Sequence, residues 1–88
     1  MVSRKEIAMW KEGVIGIPVK GGEDIKAHYW VKQIDEPDES WGINGGRIIK
    51  LQIKVDGKTV VNYDRGWDIE PKTEQEKVAT YILLKDYN

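Results

Sequence analysis

The sequence predicts an α+β domain: a four-stranded antiparallel meander with one C-terminal helix packed on one face, in the order β-β-β-β-α. Two observations carry this. Apolar residues recur with a period near two in four separate stretches, and glycine-rich turn signals join them in hairpins. A capping box then opens a segment whose apolar residues are spaced for a helix. One amphipathic helix can cover one face of such a sheet.

Ser3 and Glu6 have capping-box spacing, but the stretch is too short to hold an isolated helix, and a frayed end is expected over 1–8. The first strand runs from Met9 to Val19. Met9, Ile15, Ile17 and Val19 supply the apolar positions, and Lys11 and Gly13 interrupt them. Pro18 lacks an amide donor, which places this strand at a sheet edge. Lys20-Gly21-Gly22-Glu23 is the turn. In the second strand Ile25, Ala27, Tyr29 and Val31 alternate with Lys26, His28, Trp30 and Lys32.

The third strand is the most regular. Ile49, Leu51, Ile53 and Val55 alternate with Lys50, Gln52 and Lys54. Asp56-Gly57 is a strong hairpin signal, and Val60, Val61 and Tyr63 continue as the fourth strand. A two-residue loop pairs 55 with 58 and sets Leu51 opposite Asn62. A three-residue loop with a bulge at Gly57 pairs odd with odd instead. Leu51, Ile53 and Val55 then share a face with Thr59, Val61 and Tyr63. A one-residue slip flips every side chain, so the apolar face favours the bulged loop.

Pro71 fixes the entry to the helix, and Thr73-Glu74-Gln75-Glu76 is its capping box. Val78, Ala79, Ile82 and Leu83 follow at helical spacing with Tyr81 alongside, and Lys85 suits the negative C-terminal end.

Composition bounds the function. The chain has 88 residues, which fits one domain spanning 1–88. A hydrophobic fraction of 40% beside 33% charged residues is globular rather than disordered. Cysteine is absent, which excludes disulfides, iron–sulfur ligation and thiol catalysis. No run approaches the roughly 18 apolar residues that span a bilayer, and no secretory leader opens the sequence. A cytoplasmic protein without a membrane partner is expected. The formal charge of −1 argues against general nucleic-acid binding, which calls for a basic excess.

In a meander, alternate loops fall at the same end. The segment Asp35–Gly46 therefore meets the segment Asp64–Pro71. The first is long for a hairpin connection, where roughly 2–5 residues is usual. Trp41 and Trp67 are rigid anchors of the kind binding surfaces use. Arg47 and Arg65 can fork onto carboxylate or phosphate, with Asp64 and Asp68 nearby. Asn44 and Gly42, Gly45 and Gly46 can turn backbone amides toward an anion. The same residues have a structural reading. Trp67 then plugs the gap between the sheet and the helix start, the arginines pair with Asp64 and Asp68, and the glycines serve turns.

Trp41-Gly42-Ile43-Asn44-Gly45-Gly46-Arg47-Ile48 and Val60-Val61-Asn62-Tyr63-Asp64-Arg65-Gly66-Trp67-Asp68 carry a resemblance. From about Trp10 to Asn88 the chain resembles a family of small uncharacterised proteins from Gram-positive bacteria and their mobile elements. That resemblance implies a bacterial cytoplasm and a phage, plasmid or conjugative-element origin. It brings no activity with it.

Catalytic machinery is thin. His28 is the sole histidine and sits mid-strand, so nucleophile–base pairs cannot be assembled. Ser3 and Ser40 have no nucleophile-elbow context. The carboxylates at 64, 68 and 70 match no metal loop. The run at 42–46 lacks the Lys-Ser or Lys-Thr of a phosphate loop and leads into a strand. The expectation is a non-enzymatic module with no cofactor and no metal. It engages a host protein through the Trp41/Trp67 end. Capture of a nucleotide-like ligand at that end is the alternative. A weaker alternative is single-stranded nucleic acid on the open sheet face, where Lys26, Lys32, Lys50, Lys54 and Trp30 lie. Strand 58–64 has no proline or internal charge, so a homodimer through it stands beside a monomer.

Overall fold

The computed structural model describes residues 8–88. The Ser3–Glu6 spacing lies outside the described residues, and so does the expected frayed end except Ala8. Five strands follow one another: β1 (Ala8–Ile17), β2 (Ile25–Ile34), β3 (Ile48–Val55), β4 (Lys58–Asp64) and β5 (Trp67–Ile69). They form one antiparallel sheet in the order β1-β2-β3-β4-β5, and the helix α1 (Glu74–Tyr87) comes last. The α+β class with an antiparallel sheet and one C-terminal helix holds. The sheet has five strands rather than four.

The fifth strand has a local cause. Arg65 takes a left-handed conformation, φ 58°, and Asp64 N–H donates to the Gly66 carbonyl at 2.9 Å. The chain turns back on itself, and Trp67 pairs with Tyr63. Three residues are too few to show a period, so this strand is silent in the sequence. It also moves the helix. β5 carries the chain back along the sheet, so α1 starts beside Ile17 and Val55, next to the Asp56-Gly57 turn. It ends beside the long loop, where Gln33 Nε2 donates to the Tyr87 carbonyl at 2.6 Å.

β1 pairs with β2 without interruption, from Ala8 opposite Ile34 to Ile17 opposite Ile25. β1 is an edge strand, but Pro18 lies just beyond it. Gly13, an interruption in the apolar pattern, stands opposite Tyr29. A Cβ there would sit 2.6 Å from the Tyr29 hydroxyl oxygen. The tyrosine ring lies across the glycine and reaches Tyr87, 2.9 Å from hydroxyl to hydroxyl.

The β3–β4 hairpin corrects the expected register mechanism. The loop is the two-residue one: Val55 pairs with Lys58, and Asp56 and Gly57 both have positive φ, 52° and 76°. Such a pair gives a turn whose twist suits a hairpin. The odd-with-odd pairing arises further on. A bulge between Ile53 and Lys54 leaves Val60 as an extra residue, and beyond it Ile53 faces Val61 and Leu51 faces Tyr63. Thr59 pairs with Lys54, not with Val55. The apolar face decides the register, but the bulge at Val60 delivers it.

The helix cap is as expected. Thr73 Oγ1 accepts from Glu76 N–H at 3.1 Å, and the Glu76 carboxylate accepts from Thr73 N–H at 3.3 Å. The buried face is rotated by one residue from the expected one. Ala79, Thr80 and Leu83 are buried, while Val78 is 43% exposed. Thr80 is tolerated inside because its hydroxyl donates to the Glu76 carbonyl at 2.8 Å. Leu83 and Ala79 close over Ala27, Val31, Leu51, Ile53 and Val61 to make the core.

β5 pairs with Asn62 and Tyr63 only, so part of strand 58–64 is covered and Lys58–Val61 carry no further strand among the described residues. No described helix is long and apolar enough to cross a membrane.

Candidate functional site

The long loop is built from its own backbone. Asp38 is buried, and its Oδ1 accepts from the amides of Ser40 and Trp41 at 2.8 and 2.9 Å. Gly42 N–H donates to the Asp38 carbonyl, and Asp38 N–H to the Gly46 carbonyl, both at 2.9 Å. A Cβ on Gly42 would overlap the Gly46 carbonyl. Ile43–Gly45 make a single 3-10 turn in which Asn44 adopts φ 52°, a conformation asparagine tolerates. Asn88 locks the turn: its Nδ2 donates to the Ile43 carbonyl at 2.9 Å, and its Oδ1 accepts from Ile48 N–H at 3.0 Å.

The expected site residues fall into separate groups. Trp41, Arg65 and Trp67 gather around Tyr63. Its hydroxyl donates to the Trp41 carbonyl at 2.8 Å, and Trp67 meets its ring edge-on with centroids 5.0 Å apart. The Arg65 guanidinium lies 4.7 Å over the Trp41 ring. Burial, then the charge of Asp38, pushes the Tyr63 hydroxyl pKa up. Trp41 is 50% exposed and Trp67 40%. Arg47 is elsewhere: its Nε donates to the Ile34 carbonyl at 3.1 Å, beside Met9 and Asp35. Asp64 faces Lys50 at 3.8 Å, and Asp68 accepts from Asn62 Nδ2 at 3.1 Å. Neither arginine forms the expected pair with Asp64 or Asp68 among the described ion pairs. Trp67 packs on Tyr63 at the end away from the helix start.

The helix lies on one side of the sheet only. On the other side the even positions of β1 meet the even positions of β2: Trp10 stands opposite Lys32, Glu12 opposite Trp30, Val14 opposite His28 and Gly16 opposite Lys26. β3 adds Lys50, Gln52 and Lys54, and β4 adds Asn62 and Asp64. Trp10 is 59% exposed. The Lys32 ammonium lies 5.7 Å from the Trp10 ring centroid, and that of Lys54 5.6 Å from Trp30. His28 stacks on Trp30 with centroids 4.2 Å apart and approaches Glu12 at 3.6 Å. The two tryptophans border a cleft of about 250 Å³ whose other lining, including Lys50, Gln52, Asn62 and Asp64, comes from β3 and β4.

Trp10 is the residue that reading the sequence missed. The signal was present: the apolar positions Ile15 and Ile17 of the first strand and Ile25 and Ala27 of the second are all odd, so setting them on one face puts the even Trp10 and Trp30 together on the other. At the opposite end of the core face, a pocket of about 210 Å³ is lined mainly by Ile17, Ile25, Ala27, Ile53, Val55, Val60 and Ala79. It is apolar and remote from Trp41, so it does not serve nucleotide capture at the loop end. Among the described residues no three carboxylate or imidazole side chains converge as a metal site requires.

The family model described as a domain of unknown function (DUF7678) matches residues 9–88, and the chain belongs to that family. Neither a curated protein nor a solved structure matches the chain.

Proposed function

We propose that this member of a domain-of-unknown-function family is a small non-enzymatic binding module whose contact surface is the face of the sheet opposite the helix. One observation carries this reading. Trp10 and Trp30 stand on a face that no other described element covers, each with a lysine ammonium over its ring. A folded chain gains by burying indole surface, so two tryptophans held at a cleft are anchors in waiting. They sit on paired strands rather than on a loop, so they are pre-positioned and cost little entropy to order on binding.

A second reading keeps the loop end as the contact surface, with a host protein as partner and a mobile-element origin. It is favoured by the half-exposed Trp41 under Arg65. The left-handed Arg65 adds to it, since strained backbone gathers at functional positions.

One experiment separates the two. Tagged protein is drawn gently from lysate of its source cells and weighed by native mass spectrometry. Replacing Trp10 and Trp30 together by alanine abolishes the bound mass if the sheet face is the surface. Replacing Trp41 and Trp67 abolishes it if the loop end is. Loss with the second pair alone overturns the first reading.

A further inference from the structure

Resting on the reading of the sheet face as a contact surface, we infer that its occupant is single-stranded nucleic acid. Charge is the first argument. The chain as a whole carries −1, and this face as a whole is balanced: Lys26, Lys32, Lys50 and Lys54 stand against Glu12 and Asp64, with Asp24 beside Gly16 and Asp68 at its rim. The lysines are nonetheless grouped, since Lys32 stands directly opposite Lys50, and Lys54 lies on the same strand as Lys50, beside Trp30. That group offers a polyanion a local basic stretch beside both rings.

Ring placement is the second argument. Trp10 pairs with Lys32 and Glu12 with Trp30, so the two tryptophans are diagonal neighbours on adjacent strands, about 7–8 Å apart by ordinary sheet geometry. One strand of nucleic acid laid across β1 and β2 can set a base on Trp10 and another on the side of Trp30 away from the stacked His28. Stacking on indole tolerates any base, because every base has a π-face. A base arriving on Trp10 or Trp30 displaces the lysine from the ring, and that lysine is then within reach of the adjoining phosphate.

The cleft is the third argument. A cavity of about 150 Å³ accepts a benzene ring. A cleft of about 250 Å³ therefore accepts the ring system of one base. Gln52 and Asn62 line it with amide groups that can donate to and accept from a base edge. Paired bases cannot stack on these rings, and a broad sheet face does not enter a duplex groove. Single strands are therefore the form that fits.

The test uses the full chain with Trp41→Phe and Trp67→Phe, so that the remaining fluorescence reports Trp10 and Trp30. Short oligothymidylate and oligoadenylate, the matching duplex and a polyglutamate peptide are titrated in turn. The single strands should quench the emission, and binding should weaken steeply with salt. Trp10→Ala or Trp30→Ala should each weaken binding about 5- to 150-fold, the range for one stacked base. Lys32→Gln with Lys54→Gln should lower the slope of log affinity against log salt by about 1.4, from roughly 0.7 per phosphate contact. A circular dichroism spectrum and urea midpoint unchanged in each variant separate lost contact from lost fold. Quenching by polyglutamate and not by single strands overturns the inference and leaves the sheet face a protein-binding surface. Affinity for single strands that ignores the loss of both Trp10 and Trp30 overturns it too. No response to any probe, with native mass spectrometry showing the bound mass to need Trp41 and Trp67, overturns both readings of the face.

Discussion

The Asn88 carboxamide occupies the space that a side chain on Gly46 would need. The same carboxamide holds Ile43 and Ile48, which flank that glycine, through one donated and one accepted hydrogen bond. Two positions far apart in the sequence therefore hold each other, and the helix end is tied to the start of β3.

Asn88→Ala leaves the Ile48 amide without its side-chain acceptor in an essentially fully buried residue, while the Ile43 carbonyl keeps the Gly46 N–H. The orphaned amide costs roughly 1–3 kcal/mol. The urea midpoint should fall accordingly, and Asn88→Asp, which keeps the acceptor and loses the donor, should fall less. Gly46→Ala should destabilise by a similar route, because the carboxamide must move. A midpoint unchanged by Asn88→Ala would show that water or a neighbour replaces it.

Tyr29 gives the protein an alkaline stability limit. Its hydroxyl pKa is pushed up to about 12, first by the hydrogen bond to Tyr87, then by burial and the charges of Tyr87 and Asp86. The unfolded value is near 10. The fold thus favours the neutral phenol. That contribution is complete below about pH 10 and is lost as pH rises to about 12. Urea midpoints across this range should decline, and Tyr29→Phe should flatten the decline. Tyr63, also raised, should keep a residual slope.

The Asp56-Gly57 turn requires positive φ at both positions. Gly57→Ala places a Cβ in a conformation L-residues avoid, at a cost of about 1 kcal/mol, although nothing crowds the position. A urea melt measures it. Gly13→Ala should cost more, because the added Cβ meets the Tyr29 ring and not open solvent.

Trp41→Ala with Trp67→Ala should leave the fold standing. Both side chains are well exposed, and the main loss is the edge-on contact of Trp67 with Tyr63, worth roughly 0.5–1.5 kcal/mol. A cooperative melt with a modestly lower midpoint is the expected outcome. Collapse of the melt would make these tryptophans structural.

Much of this protein was decided locally. Alternation in β2 and β3, the Asp56-Gly57 turn and the Thr73–Glu76 box name their elements, because period, positive φ and capping need only near neighbours. The same locality explains what was not legible. β5 is three residues long and exists through pairing with β4, so no period announces it. The bulge at Val60 reconciles a two-residue turn with an apolar face whose parity the turn alone would break. The rotated face of α1 follows from where β5 delivers the chain, since the helix lies where the sheet leaves apolar surface uncovered. Arg47 and Arg65, alike in type, are sent to different partners, one to the Ile34 carbonyl and the other to the Trp41 ring. Trp10 and Trp30 become neighbours only once β1 is set in register against β2. The sequence by itself determined which segments are strands and which is the helix. The tertiary structure decided which side chains meet, because meeting depends on register and chain direction, and both are set by burying one continuous face.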